Sequence, residues 1–192
     1  MKVALIKYNA GNIMSVQFAL NRLGVEPLVT WDHALIRSAD KVIFPGVGSA
    51  AAAMGFLREK GLDTLIPQLK QPVLGICLGM QLFCRHSEEG DTRCLGIFDT
   101  GVRKLPGKKV PHMGWNRIDK AKGPLFSAFT GMPYCYFVHS YYAETGPDTV
   151  AVTEYGIPFS SAMQKNNFYG VQFHPEKSAA DGEQLIKNFL SI

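Results

Sequence analysis

The chain has 192 residues, of which 46% are hydrophobic and 19% charged. That balance excludes a disordered chain and leaves enough length to bury a substantial core in one domain, 1–192. The net charge is +4, and the densest basic cluster is Arg103, Lys104, Lys108 and Lys109. It is too short, and too poor in interleaved aromatics, for a nucleic-acid stripe. It reads as a solvated loop, or as a patch beside an anionic partner or phosphorylated ligand. The apolar run Met1 to Ile6 meets Lys7, too early for a signal peptide, and no run approaches the roughly 20 residues of a membrane span. The four cysteines (77, 84, 94 and 135) form no CxxC pair and read as reduced thiols of a cytoplasmic chain. Only Cys84 and His86 lie close together, which falls short of a four-ligand site, so no metal and no cofactor is expected.

The first half alternates strand and helix. Lys2 to Lys7 predicts a strand, and Asn12 to Leu23 a helix with Val16, Ala19, Leu20 and Leu23 at helical spacing, ended by Gly24. Pro27 to Thr30 and Lys41 to Phe44 are further strand candidates, and Ala50 to Lys60 is an alanine-rich helix. Pro72 to Ile76 is an apolar strand that leads into a helix over Leu78 to Arg85. This alternation predicts an α/β fold with a mainly parallel sheet covered by helices on both faces. The second half holds short β-prone runs: Tyr134 to His139, Val150 to Glu154, Ser160 to Lys165 and Phe168 to Phe173. Asn166-Asn167 sits between the last two as a hairpin turn would, and Asp181 to Leu190 closes the chain as an amphipathic helix. An antiparallel β extension on the parallel sheet follows from this half.

Gly75-Ile76-Cys77-Leu78-Gly79 stands where the apolar strand ends and a helix begins. This is a Gly-x-nucleophile-x-Gly elbow, in which the nucleophile takes a strained conformation and the flanking chain passes too close for a Cβ. The turn puts the sulfur at a helix N-terminus, where the dipole and free N–H groups favour a thiolate and can hold an oxyanion. Leu78 N–H is the donor expected on this side. The plain alternative is a buried cysteine that packs a strand against a helix. Cys84, Cys94 and Cys135, in a helix, a polar loop and an apolar strand, read as structural. A second oxyanion donor is expected from Pro45-Gly46-Val47-Gly48, which otherwise reads as an ordinary turn after a strand.

Phe173-His174-Pro175-Glu176 follows the apolar Val171-Gln172-Phe173. Residues two apart on an extended segment face the same side, so His174 and Glu176 project together, and Pro175 keeps His174 extended. A carboxylate beside an imidazole fixes its tautomer and stabilises the imidazolium during proton transfer. A cysteine elbow with such a pair reads as a Cys77–His174–Glu176 triad acting on a small carboxamide. An incidental histidine remains the plain alternative. His33 and His86 read as surface residues.

These segments resemble class I glutamine amidotransferase domains, in Pro45-Gly46-Val47-Gly48, Gly75-Ile76-Cys77-Leu78-Gly79-Met80-Gln81 and Phe173-His174-Pro175-Glu176. Tyr8-Asn9-Ala10-Gly11-Asn12, Pro111-His112-Met113-Gly114-Trp115-Asn116 and Phe137-Val138-His139-Ser140-Tyr141 are similar to the glutaminase subunits of imidazole glycerol phosphate synthase. The resemblance covers nearly the whole chain. It implies attack of Cys77 on the glutamine carboxamide, protonation of departing ammonia by His174, and hydrolysis of a γ-glutamyl thioester with His174 held by Glu176. It further implies that Val47 and Leu78 form the oxyanion hole. Gly46, Gln81, Glu89, Ser140 and Tyr141 would hold L-glutamine. The implied partner is a (β/α)8-barrel cyclase subunit, which would receive ammonia in a heterodimer serving histidine biosynthesis. Met113, Trp115, Asn116, Tyr136 and Lys177 match positions at that junction, although core aromatics and a solvated lysine are the plain reading of three of them.

Three rivals differ in what they need. The glutaminase of pyridoxal phosphate synthase shares the triad but gives no reason for Pro111 to Asn116. A cysteine hydrolase of esters or peptides fits the elbow but not Gln81 and the His-Pro-Glu pairing. A non-catalytic binding module would be favoured by an altered triad, and all three members are present.

Overall fold

The structure, a computed structural model, describes residues 1–8, 13–107, 109–127 and 129–192. The expectations for Asn9, Ala10, Gly11, Asn12 and Lys108 lie outside the described residues. The first half builds β1 (Val3–Ile6), α1 (Ile13–Arg22), β2 (Leu28–Thr30), α2 (His33–Arg37), β3 (Lys41–Phe44), α3 (Ala50–Glu59), α4 (Leu62–Leu65), β4 (Val73–Ile76) and α5 (Leu78–Phe83). Gly24 ends α1 in the left-handed region at φ 75°, as a C-terminal glycine should. Several predicted bounds shift by one or two residues. The helix after the elbow stops at Phe83, because Cys84 turns extended at ψ 177°, so Cys84 caps it rather than lying within it. The short α2 and α4 are not foreseen by the sequence pattern, since one turn of helix carries too few residues for a periodicity.

The second half adds β5 (His86–Ser87), β6 (Thr92–Arg93), β7 (Gly101–Lys104), β8 (His112–Arg117), β9 (Tyr134–His139), β10 (Tyr141–Ala143), β11 (Thr149–Glu154), β12 (Pro158–Lys165), β13 (Phe168–Val171) and α6 (Ala179–Ser191). The main sheet has seven strands in the order β11-β12-β13-β4-β3-β1-β2. From β13 to β2 the pairings are parallel, while β12 and β11 continue it antiparallel. Asn166, at φ 53°, makes the expected hairpin turn between Lys165 and its partner Phe168. A four-stranded sheet, β10-β7-β5-β6, and a two-stranded ribbon, β8-β9, form the rest of the extension.

Side-chain alternation divides the core into two layers. Ala4, Ile6, Val42 and Phe44 face one cluster with Leu57, Leu62 and Phe83 from α3, α4 and α5. Val3, Leu5, Ile43 and Leu74 face the other with Val16 and Leu20 of α1 and Leu185 and Phe189 of α6. All four residues of each of β1, β3, β4 and β13 are buried, as a sheet covered on both faces requires. Such a sheet opens a crevice beyond the carboxyl ends of its parallel strands. Tyr8, Pro45, Cys77 and His174 all follow such ends.

Candidate active site

Two glycines shape the turn after β4. A Cβ on Gly75 would come within 2.7 Å of Gly79 C and Met80 N, and one on Gly79 would overlap the Phe44 carbonyl oxygen. Both positions exclude any side chain, as the elbow pattern predicts. Cys77 itself stands at φ 53°, ψ −109°, a conformation costing about 1–3 kcal/mol that L side chains rarely adopt. Its N–H donates to Val171 O at 2.7 Å, which ties the elbow to β13. The side chain emerges at the first turn of α5, 7% exposed.

β13 delivers the base. His174 follows it in extended conformation, at φ −101°, ψ 93°, and its N–H donates to Tyr136 O of β9 at 2.9 Å. Pro175–Lys177 then forms a 3₁₀ turn rather than the extended segment expected from the sequence. The turn, not a shared strand face, brings the carboxylate round: His174 Nδ1 lies 2.8 Å from Glu176 Oε1, with both side chains 0% exposed. The other side of the imidazole bonds the Cys77 sulfur. Burial opposes a charged His174, but the negative charge and hydrogen bond of Cys77, with the Glu176 bond, outweigh it and raise its pKa to about 10. Cysteine, histidine and glutamate therefore stand in one line, with the carboxylate fixing the Nδ1–H tautomer.

A cavity of about 260 Å³ opens beside the sulfur, lined by Cys77, Leu78, Gln81, Glu89, Ser140 and Tyr141 together with Gly48, Pro111, Val138 and His139. Four of the five expected substrate residues thus meet at one place. Glu89 Oε2 accepts from Ala50 N at the start of α3, 2.7 Å away. Gly46 and Val47 do not line this cavity. Gly46 is pressed on α5, where a Cβ would come 2.5 Å from Gly79 N. Val47 lines a neighbouring cavity with Tyr8, Ser49 and Phe56. The buried Tyr8 hydroxyl belongs to the same neighbouring group.

One group in the site escaped the sequence reading. Gln172, 0% exposed, donates from Nε2 toward Cys77 Sγ at 3.5 Å and accepts from Gln81 Nε2 at 2.9 Å. Its place between two apolar residues of a strand gives no hint, because the strand's direction past the elbow decides what it touches. Tyr8 and the pair His112 and His139, which the sequence offers only within the motifs of the resemblance and without a role, are buried as well. Burial holds His112 and His139 neutral, with pKa values pushed down to about 4 and about 3.

The expected partner residues lie on the β8-β9 ribbon, apart from Lys177. Met113, Trp115 and Tyr136 share its outer face, with Met113 62% and Trp115 43% exposed. Lys177 is exposed on the 3₁₀ turn beside them. Asn116 occupies the inner face, half-buried, with its amide engaged by His112 and Glu154 O. The expected basic loop is partly tied down: Arg103 pairs with Glu88 at 2.9 Å and Glu144 at 3.2 Å. All four cysteines are free thiols. Among the described residues no group of three or more metal-ligating side chains occurs, and no helix is long and apolar enough to cross a membrane.

Comparison with known proteins gives the family and the fold. The model of the family "Glutamine amidotransferase class-I" matches residues 4–192. The chain is 59% identical to the imidazole glycerol phosphate synthase subunit HisH of Bacteroides fragilis and 57% identical to that of Bacteroides thetaiotaomicron, covering 100% of both chains in each case. The HisH subunit of Yersinia pseudotuberculosis is 48% identical over the same full coverage. Among solved structures, the crystal structure of a glutamine amidotransferase superimposes with a TM-score of 0.77 at 17% identity, covering 98% of this chain and 97% of that one. PurLQS from Thermotoga maritima gives 0.73 at 17%, covering 99% and 97%. These two distant structures match the fold. The full-length likeness to the HisH subunits, together with the family model, leads to one conclusion: the chain belongs to the class I glutamine amidotransferase family.

Proposed function

We propose that this chain is the glutaminase subunit of imidazole glycerol phosphate synthase, a single glutamine amidotransferase type 1 domain with Cys77, His174 and Glu176 as its catalytic triad. One observation carries the reading: a cysteine on a positive-φ elbow bonds an imidazole that a buried carboxylate holds 2.8 Å away. Glutamine occupies the cavity between α5 and the Ser140–Tyr141 segment, with Gln81 and Glu89 among its holders. The Cys77 thiolate attacks the side-chain carbonyl carbon, and the oxyanion is received at the N-terminus of α5, where Leu78 N–H is one donor. His174, protonated at rest, gives its proton to the departing nitrogen, and ammonia leaves a γ-glutamyl thioester. The neutral imidazole then takes a proton from water as that water attacks the thioester. Glutamate departs, and thiolate and imidazolium are restored.

Val47 supports a gated version of this cycle. It lines the cavity beside Tyr8 and not the glutamine cavity, so in this reading the second donor still has to be brought to the site. Turning of the Gly46–Val47 segment on docking of the partner completes the hole. That partner is the (β/α)8-barrel cyclase subunit, seated on Met113, Trp115, Tyr136 and Lys177 in a cytoplasmic heterodimer. The deciding measurement is glutamate release from glutamine, alone and with the cyclase and its ribulosyl phosphate substrate. We expect weak turnover alone, and activation of about 10²-fold or more when a missing oxyanion donor is supplied. Cys77→Ala abolishes both rates. Equal turnover with and without cyclase defeats the gating, and turnover that survives Cys77→Ala defeats the triad.

A further inference from the structure

The inner face of the β8-β9 ribbon carries a continuous line of hydrogen bonds that ends at the sulfur of Cys77. Asn116 Nδ2 lies 3.4 Å from His112 Nε2, and His112 Nδ1 lies 3.0 Å from His139 Nε2. His139 Nδ1 lies 2.8 Å from Tyr141 O, and Gln81 Nε2 donates to the same oxygen at 2.7 Å. Gln81 Nε2 also donates to Gln172 Oε1 at 2.9 Å, and Gln172 Nε2 points at Cys77 Sγ from 3.5 Å. His112, His139, Gln81 and Gln172 are all at least nine-tenths buried.

The direction of every link is fixed. A carbonyl oxygen only accepts, so His139 carries its hydrogen on Nδ1, and its Nε2 must accept from His112 Nδ1–H. His112 Nε2 is then an acceptor facing the Asn116 amide. Asn116 cannot flip, because its Oδ1 accepts from Arg117 N at 2.8 Å and its Nδ2 donates to Glu154 O at 3.0 Å. One arrangement of hydrogens satisfies the whole line.

Packing alone does not account for the two imidazoles. His112 is sandwiched between Phe137 and Tyr155, with ring centroids 4.8 and 4.0 Å away, and His139 lies against Phe159 at 5.1 Å. Phenyl rings would fill such a nest without the cost of burying polar nitrogens. Register sets the pair directly opposite one another across the ribbon, at the position where cross-strand side chains interact most closely. The outer face of the same two strands carries Met113, Trp115 and Tyr136.

We propose that the His112–His139 pair is a positioning relay, which transmits the seating of the β8-β9 ribbon to the Tyr141 carbonyl and through it to the carboxamides of Gln81 and Gln172. Both hydrogens of the Gln81 amide are spoken for in this line, so its Oε1 is the atom presented to the cavity. Loss of the relay lets that amide turn and presents a donor where an acceptor belongs. The inference rests on the glutaminase reading for its substrate, but not for its geometry.

Two measurements test it. In the complex with the cyclase, at saturating partner, His112→Phe keeps the stacking and cuts the line. We expect the KM for glutamine to rise about tenfold, the worth of one net hydrogen bond, with a smaller change in kcat. His112→Asn, whose amide nitrogen overlays Nδ1, restores most of that loss. Asn116→Ala raises KM in the same direction, and the double variant with His112→Phe is no worse than the more damaged single one. An unchanged KM in His112→Phe, or effects that multiply in the double variant, overturns the relay. The second measurement needs no substrate: nitrogen NMR of the isolated chain at neutral pH. It should show both rings neutral with the hydrogen on Nδ1, and the Gln81 side-chain amide displaced in His112→Phe. Nε2–H tautomers, or an unmoved Gln81 amide, sink the proposal even if the wild-type complex proves silent toward glutamine. Silence with the expected spectra would count against the glutaminase reading alone.

Discussion

His174 is buried, yet its ring holds a proton through the ordinary imidazole range because a sulfur and a carboxylate flank it. A group whose folded pKa is raised contributes stability that is complete below its unfolded value, about 6.5, and is lost as pH climbs through the folded value, here about 10. Stability from this cluster therefore declines between roughly pH 6.5 and 10. Cys77→Ala removes two of the influences that hold the proton, leaving burial to work against it. Urea unfolding at pH 6 and at pH 10 should show a larger alkaline loss in the wild type than in Cys77→Ala. Parallel losses would mean that the sulfur does not hold the His174 proton. At this scale the sequence is most readable. Cys77 is evident from the glycines around it, and His174 and Glu176 from their spacing, although the carboxylate arrives by a 3₁₀ turn rather than along a strand. Gln172 is not readable, since its role depends on how closely β13 passes the elbow.

Elements place these residues, and glycine marks where elements come closest. Gly79 lies in α5, where a Cβ would run into the Phe44 carbonyl of β3; Gly55 lies in α3 with nothing within 4 Å of a built Cβ. The same substitution should therefore have opposite signs at the two sites. Gly79→Ala forces backbone apart from backbone and costs about 3 kcal/mol or more. Gly55→Ala replaces a weak helix former by the best one and stabilises by about 0.5–1 kcal/mol. Denaturant midpoints decide it, and destabilisation at Gly55 would show that α3 packs more closely on its neighbours than its geometry indicates. Segments are legible where burial repeats along one face, or where a short apolar run is bounded by turn residues. β3 and β9 match their predicted bounds without a shift. The two-residue strands β5 and β6 and the helices α2 and α4 are not legible, because tertiary contacts and not local pattern create them.

At the scale of the whole molecule, the described residues leave an apolar face exposed. Met113, Trp115, Met132 and Tyr134 are 62%, 43%, 60% and 49% exposed. Trp115 stacks on Tyr134 with centroids 5.8 Å apart and meets Tyr136 edge-on at 6.1 Å. The stack holds the indole in one orientation, which lowers the entropy lost when a partner covers it. Cross-strand alternation explains why this face can be apolar while the opposite face carries the histidine pair: outer and inner residues belong to the same two strands but never meet. A tryptophan preorganised at the centre of a docking patch is the residue type that dominates binding energy, and truncating one costs about 2 kcal/mol or more. If the proposed cyclase docks on this face, Trp115→Asp should weaken its binding at least about thirtyfold in a calorimetric titration. The charge sits on the solvent side of the ribbon, so the thermal midpoint of the isolated chain should stay close to the wild-type value. Wild-type affinity in the variant would move the docking surface elsewhere. A large fall in the midpoint would show instead that the indole holds the ribbon together, and then Trp115 would act on the partner only through β8 and β9.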